Sequence, residues 1–302
     1  MYQYPKPILT IEQQIQTYID AGMTFDSKEQ VENSLLTIGY YRLRGYSFQL
    51  YDKAEKRYVE GTTFENILRL YHFDQELASI VFSMIAKIEV ALRARLSQAL
   101  LIHQDALILQ DSSIFENKLK YWRNMSSIAS EIARSSDAFI KHNFKKYQGE
   151  VPVWAVVEVL SFGTLSKLIK NLKHGRGSSY AELVKHYRQP SEKGIRLTPS
   201  KDMFTSWIYI VSVLRNMCAH NSRIYNRTIL MAPQILKIDK TESTPEHNGL
   251  YQVLLAMKYL RSSDEDWREF VTELNGLITK YDGVIVLSHM NFPHDWHTHL
   301  YV

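Results

Sequence analysis

Five side chains able to take part in chemistry stand within nine residues, RNMCAHNSR at 215–223: Arg215, Asn216, Cys218, His220 and Arg223. An imidazole titrating near neutrality can take a proton from an attacking hydroxyl or give one to a leaving oxygen. A guanidinium offers paired donors to the charge that builds on a phosphorane. Those are the requirements for cleaving an RNA phosphodiester through its own 2′-OH. The nucleophile belongs to the substrate, so this chemistry requires neither a metal nor a protein nucleophile, and no cofactor. Asn216 could orient His220 or donate to phosphate. With 16 Arg and 11 His in 302 residues, an Arg followed five positions later by a His is expected about 0.6 times by chance, so the spacing alone is a weak motif. A solvated helix end carrying ordinary surface charge accounts for the same residues.

The strip needs a helix to position it. Pro199 and Ser200 open one, and apolar spacing carries it to about Arg223. At 100° per residue, Phe204, Trp207, Val211, Leu214 and Cys218 share one arc. Asn216, His220, Arg223 and, if the helix reaches it, Arg227 form a stripe on the opposite side, with Arg215 at the border. Cys218 then points about 200° from His220, which removes a Cys-His nucleophilic pair and leaves the cysteine a small core residue.

The rest of the chain supplies helices to pack against. Thr10 with Gln13 reads as a capping box, and Asp26 and Ser27 can cap a second helix with Leu35, Leu36 and Ile38 inside. From Thr63 an apolar stripe runs through Leu70, Phe73, Leu77, Ile80, Val81, Met84, Ile85, Ile88, Leu92 and Leu96, the centre of a bundle. Two helices fit between Ser113 and Lys146. Pro152 suits a helix start, with a break and recap at Gly163 and Thr164. The loop KHGRGSS lacks the Gly-Lys-Ser/Thr ending of a phosphate loop. Residues 231–248 are a polar connection with room for a short strand, and helices fit 249–261 and 264–280. The fold class is therefore all-α, a helical bundle. One domain is expected over 1–302: an N-terminal helical extension at 1–60, a bundle core from 61 that carries the strip, and an irregular tail at 281–302.

Composition agrees with this. Hydrophobic residues are 45%, charged residues 23%, and only 12 Gly and 8 Pro occur, too few for a turn-rich β fold. A single Cys forms no disulfide framework, no apolar run approaches the roughly 18–20 residues of a membrane span, and no signal peptide is visible. A cytoplasmic protein is expected. The net charge is +4, but residues 165–196 hold eight Lys/Arg, Lys167 and Lys170 among them, against Glu182 and Glu192, while 239–302 hold five Lys/Arg against ten Asp/Glu. The basic stretch could bind a polyanion or be solvated helix surface. Glu89 and Arg93, four apart, either bring Arg93 to the substrate phosphate or form a surface pair contributing about 0.3–0.5 kcal/mol. YRLRGY places Arg42 and Arg44 among Tyr40, Tyr41 and Tyr46, which suits gripping single-stranded RNA or, equally, a helix-terminal packing motif with Gly45 as breaker. His289, His294, His297 and His299 lack the Cys or carboxylate partners of a metal site, and Phe292 and Trp296 are expected to dock the C-terminus.

Five blocks in order resemble the Abi-like family of bacterial abortive-infection proteins of the AbiD/AbiF type: LLTIGYYRLRGY (35–46), FDQELASIVFSMIAKIEVALRARL (73–96), PVWAVVEVLSFGTLSKL (152–168), LRNMCAHNSRIYNR (214–227) and MNFPHDW (290–296). The resemblance implies membership of the HEPN superfamily, whose members carry an Arg, four to six residues and a His, and many of which are metal-independent endoribonucleases. On this chain that motif falls on Arg215 and His220, with Asn216 as the polar residue after the Arg. A site shared across a homodimer is implied, since no second such motif is present. A neighbouring small RNA or protein antitoxin is implied too, as in toxin-antitoxin and antiviral defence systems. The family pattern often has a second His and a Trp where this chain has Asn221 and Tyr225. A non-catalytic RNA-binding or sensor module, and a purely protein-interacting one, are the alternatives.

Overall fold

Helix starts follow the capping residues along the chain. The structure, a computed structural model, describes residues 7–229, 231–240 and 249–302. It is all-α: among the described residues thirteen α-helices are joined by short 3-10 turns, with two hairpins of two-residue strands. Two compact units divide it, one of residues up to Leu77 with Asn275–Val286, the other of Ala78–Leu274 with Leu287–Val302. The division between the units at Leu77 falls inside a helix, and 275–286 groups with the N-terminal residues.

In the first unit, α1 (Ile11–Asp20) opens on the expected capping box: Thr10 Oγ1 accepts the Gln13 N–H at 3.3 Å and Gln13 Oε1 accepts the Thr10 N–H at 2.9 Å. Ser27 caps α2 (Lys28–Thr37). Leu35 faces in, but Leu36 is 69% exposed, because it lies one residue, about 100°, around from Leu35. The break before α3 (Tyr40–Ser47) is at Gly39, φ +92° and ψ 141°, a region open essentially to glycine alone; Gly45 sits inside α3. A hairpin of β1 (Tyr51–Asp52) and β2 (Arg57–Tyr58) follows, pairing Tyr51 with Tyr58. Tyr18 lies at the middle of an aromatic cluster, its ring 5.2 Å from Tyr40, 6.2 Å from Tyr58 and 5.8 Å from Phe64. Phe64 begins α4 (Phe64–Leu100), whose first turns bury Ile67, Leu70, Phe73 and Leu77. Buried Asp74 accepts the Tyr46 hydroxyl at 2.7 Å, and Glu76 accepts from Lys280 and Tyr281.

The second unit holds the strip. Its stretch of α4 buries Val81, Met84, Ile85, Ile88, Leu92 and Leu96, the stripe expected from the sequence. The two helices foreseen before Lys146 are α5 (Lys118–Arg134) and α6 (Ala138–Lys146). After α7 (Val153–Val159) the chain breaks at Leu160–Ser161, and Ser161 rather than Thr164 caps α8 (Phe162–Asn171). Gly163 is within that helix because a serine two residues earlier already satisfies the N-terminal amides. Next come α9 (Ser179–Val184) and a hairpin of β3 (Gln189–Pro190) and β4 (Arg196–Leu197). α10 (Lys201–Ala219), capped by Ser200, packs on α8 and on α11 (Leu250–Leu260). α11 is apolar on every side and almost wholly buried, so this unit is built around it as much as around α4. The connection holds a 3-10 turn at Lys237–Asp239 rather than a strand in 231–240; its residues 241–248 lie outside the described ones.

α12 (Asp264–Lys280) crosses into the first unit. The end of the chain is ordered by packing, with a 3-10 turn at Leu287–Met290 and α13 (Trp296–Leu300) where an irregular tail was expected. Phe292 and Trp296 are buried, and the Trp267 indole donates to the Leu300 carbonyl at 2.7 Å.

Candidate functional site

The buried arc of α10 matches the sequence geometry: Phe204, Trp207, Val211, Leu214 and Cys218 are all buried, so the lone thiol is a core group. The opposite stripe does not extend as expected. α10 ends at Ala219, His220 is its C-cap, and Asn221 turns left-handed at φ +50°. The Ser222 N–H reaches the Met217 carbonyl at 2.8 Å and the Asn221 N–H reaches that of Cys218 at 3.0 Å, the paired bonds of a Schellman ending. Asn tolerates the left-handed region, and Asn221 is the residue that stops the helix here. Arg223 and Arg227 consequently lie on a loop, Arg227 donating to the Arg223 carbonyl at 3.3 Å, and share no helical face with His220.

Arg215 sits half-buried over α4. Its Nε is 3.7 Å from a Glu89 carboxylate oxygen, close enough for an ion pair but without a hydrogen bond, and its guanidinium carbon stands 5.7 Å from the Phe82 ring centroid. The second oxygen of Glu89 takes a charge-assisted bond from Arg93. Arg93 also donates to the carbonyls of Val157 at 2.5 Å and Glu158 at 3.0 Å, at the C-terminal end of α7. Side-chain exposure is 12% for Glu89, 11% for Arg93 and 37% for Arg215. The pair Glu89–Arg93 is therefore no surface ion pair, and the Arg93 guanidinium is occupied inside the protein rather than open to a phosphate. One carboxylate braces two guanidiniums, and only Arg215 keeps a substantial exposed part.

His220 is exposed, and among the described residues its ring has no hydrogen-bond partner. Its backbone N–H bonds the Asn216 carbonyl at 3.0 Å. The Asn216 side chain turns the other way, its Oδ1 3.5 Å from an Arg215 amino group, so it contacts the arginine and not the imidazole. An anion meeting this surface finds a braced cation and, five residues on, an imidazole able to move a proton.

The other candidates are dispersed. Lys167 and Lys170 are exposed on α8. Arg42 and Arg44 belong to the first unit, both exposed, with Arg44 6.0 Å from the Tyr40 ring centroid, while Tyr41 is exposed and Tyr46 buried on Asp74. The C-terminal histidines have separate tasks. His289 faces the buried Tyr225 hydroxyl at 3.2 Å and its pKa is lowered by burial, His297 stacks on Trp296, and His299 lies 3.6 Å from Asp239. Among the described residues no three His, Cys, Asp or Glu side chains converge as a metal site requires.

Sequence reasoning passed over Glu131. This buried carboxylate accepts the Ser161 N–H at 2.6 Å, its hydroxyl at 2.9 Å and the Thr164 hydroxyl at 2.8 Å, tying α5 to the start of α8. It also left out the link from Glu89 to Arg215, since the two are 126 residues apart and no local spacing announces it.

Among the described residues no helix is long and apolar enough to cross a membrane. No curated protein and no solved structure gives a significant match. Residues 33–226 match the family described as Abi-like protein, a span that contains Glu89, Arg93, Arg215 and His220 and most of the chain's length. By that match the chain belongs to the Abi-like protein family.

Proposed function

We propose that the protein is an endoribonuclease of the HEPN type, acting in abortive infection as an AbiD/AbiF-like toxin, with Arg215 and His220 as its catalytic residues. The observation that carries this reading is that a guanidinium held by Glu89 and Phe82 and an exposed imidazole stand five residues apart at the C-terminal end of one helix. Arg215 stabilises charge on the phosphorane oxygens, and His220 moves the proton of the 2′-OH or of the leaving 5′-oxygen. The products carry a 2′,3′-cyclic phosphate and a 5′-OH. Asn216 holds Arg215 or the phosphate, and Arg223, Arg227, Lys167, Lys170, Arg42 and Arg44 are candidate RNA contacts. Arg93 positions Glu89.

A lone imidazole with nothing to orient it is half a catalytic apparatus, which supports a homodimer whose two strips complete one cleft. The working protein is placed in the cytoplasm, restrained by a small RNA or protein antitoxin. Incubating purified protein with single-stranded and structured RNAs in the presence of EDTA tests the reading: wild type cleaves and His220→Ala does not. Identical behaviour of the two ends it. The same lack of an orienting partner on His220 favours a second reading, an RNA-binding module that holds a small RNA or tRNA intact, and then the protein co-purifies with uncut RNA bound in a salt-sensitive way.

A further inference from the structure

α5 and α8 run antiparallel, and three polar contacts fix their register. At one end Asn117 and Asn171 exchange hydrogen bonds, at 3.1 Å each. In the middle the Asn124 amide donates to the Lys167 carbonyl at 3.3 Å. At the other end Glu131 holds Ser161 and Thr164. On a helical wheel, the side of α5 next to the exposed face of α8 carries Lys120 and Arg123, and α8 answers with Lys167 and Lys170. All four are exposed, and among the described residues none has an ion-pair partner. The other cations of α5 differ: Lys118 is tied to Ser112, and Arg134 lies 3.6 Å from Glu131. Lys120 and Arg123 lie about 4.5 Å apart along their axis, as do Lys167 and Lys170. The two axes pack about 8–10 Å apart. The four cations thus lie on neighbouring turns of two packed helices.

We infer that this ridge, Lys120 and Arg123 of α5 beside Lys167 and Lys170 of α8, is an RNA-backbone contact, a phosphate-binding surface separate from the Arg215–His220 strip. Ser161 starts α8 two residues after the end of α7, where Arg93 bonds the Val157 and Glu158 carbonyls. Lys170 is nine residues further, about 14 Å of helix rise from there. The ridge therefore leads away from the Glu89–Arg93–Arg215 brace along α8. Charge complementarity favours a polyanion, and the outward positions are cations rather than the apolar residues a membrane-surface helix inserts. The inference rests on the RNA reading above but needs no cleavage.

The test uses the full chain carrying His220→Ala, so that RNA stays intact, and a fluorescent 30-nucleotide single-stranded RNA read by anisotropy at several salt concentrations. Each single-strand phosphate contact contributes about 0.7 to the slope of log affinity against log salt. Adding Lys120→Gln and Arg123→Gln, the α5 half of the ridge, should lower that slope by about 1.4 and weaken binding, with the melting temperature unmoved. An unchanged slope and affinity on the 30-nucleotide RNA overturn the ridge, and so does a loss confined to vesicles of anionic lipid. If the slope falls as stated while wild type never cleaves RNA, the ridge stands and the nuclease reading fails.

Discussion

Replacing Glu89 by Gln tests whether the brace under Arg215 is a structural unit. The substitution keeps the shape and one acceptor oxygen but removes the charge. Glu89 and Arg93 are about nine-tenths covered, so the ion pair becomes a bond from the still-charged guanidinium to a neutral amide oxygen, a loss of about 1 kcal/mol. Arg215, 3.7 Å away and more than a third exposed, loses a counter-ion whose effect solvent reduces to under about 1 kcal/mol. The sum is about 1–2 kcal/mol. Glu89→Ala, which leaves Arg93 with no acceptor at all from position 89, costs about 3 kcal/mol. Urea unfolding measures both. The decisive control is a double-mutant cycle with Arg93→Met. Once the guanidinium is gone, Glu89→Gln should cost at least about 1 kcal/mol less than it does in the wild-type background. Equal cost in the two backgrounds refutes the brace, because then Glu89 stabilises the fold through something other than Arg93.

Three more outcomes are expected. Glu131→Ala removes the acceptor of three hydrogen bonds at the start of α8 and should cost about 2–4 kcal/mol in urea unfolding, with Glu131→Gln intermediate. Gly39→Ala places a Cβ at φ +92°, where nothing crowds it but the backbone itself is strained, and should cost about 1–3 kcal/mol without changing the fold seen by circular dichroism. His289 has its pKa lowered from 6.5 by burial, so the unfolded chain takes up its proton first. Its contribution is complete above pH 6.5 and is lost as pH falls through the lowered value, so the melting temperature should drop between pH 7.5 and 5.5, and drop less in His289→Asn.

How much of this was legible in the sequence depended on the range of each interaction. Capping is local, and Thr10, Ser27 and Ser200 all opened helices where their side chains promised. The apolar arc of α10 and the stripe of α4 were readable because burial on a helix repeats every three or four residues. The end of α10 was misplaced although its signal was present: Asn221 is the kind of residue that closes a helix left-handed, and weighing it would have removed Arg223 and Arg227 from the stripe. Two-residue strands are too short to show alternation, so both hairpins went unseen. The candidate site was half legible. Arg215 and His220 stand out by residue type and by the family resemblance, the spacing alone being a weak signal. What holds Arg215 comes from Glu89, and what occupies Arg93 comes from carbonyls 64 and 65 residues away, which only the folded chain brings together.

The central claim is that the substrate's own 2′-OH is the nucleophile. Once a cleavage position is mapped on an RNA, a single 2′-deoxynucleotide placed immediately 5′ of the scissile phosphate tests it directly. Cleavage at that position should vanish while neighbouring positions remain cut, and the wild-type products should end in 2′,3′-cyclic phosphate. Cutting of the deoxy-substituted bond at the rate of the all-RNA strand would contradict the account.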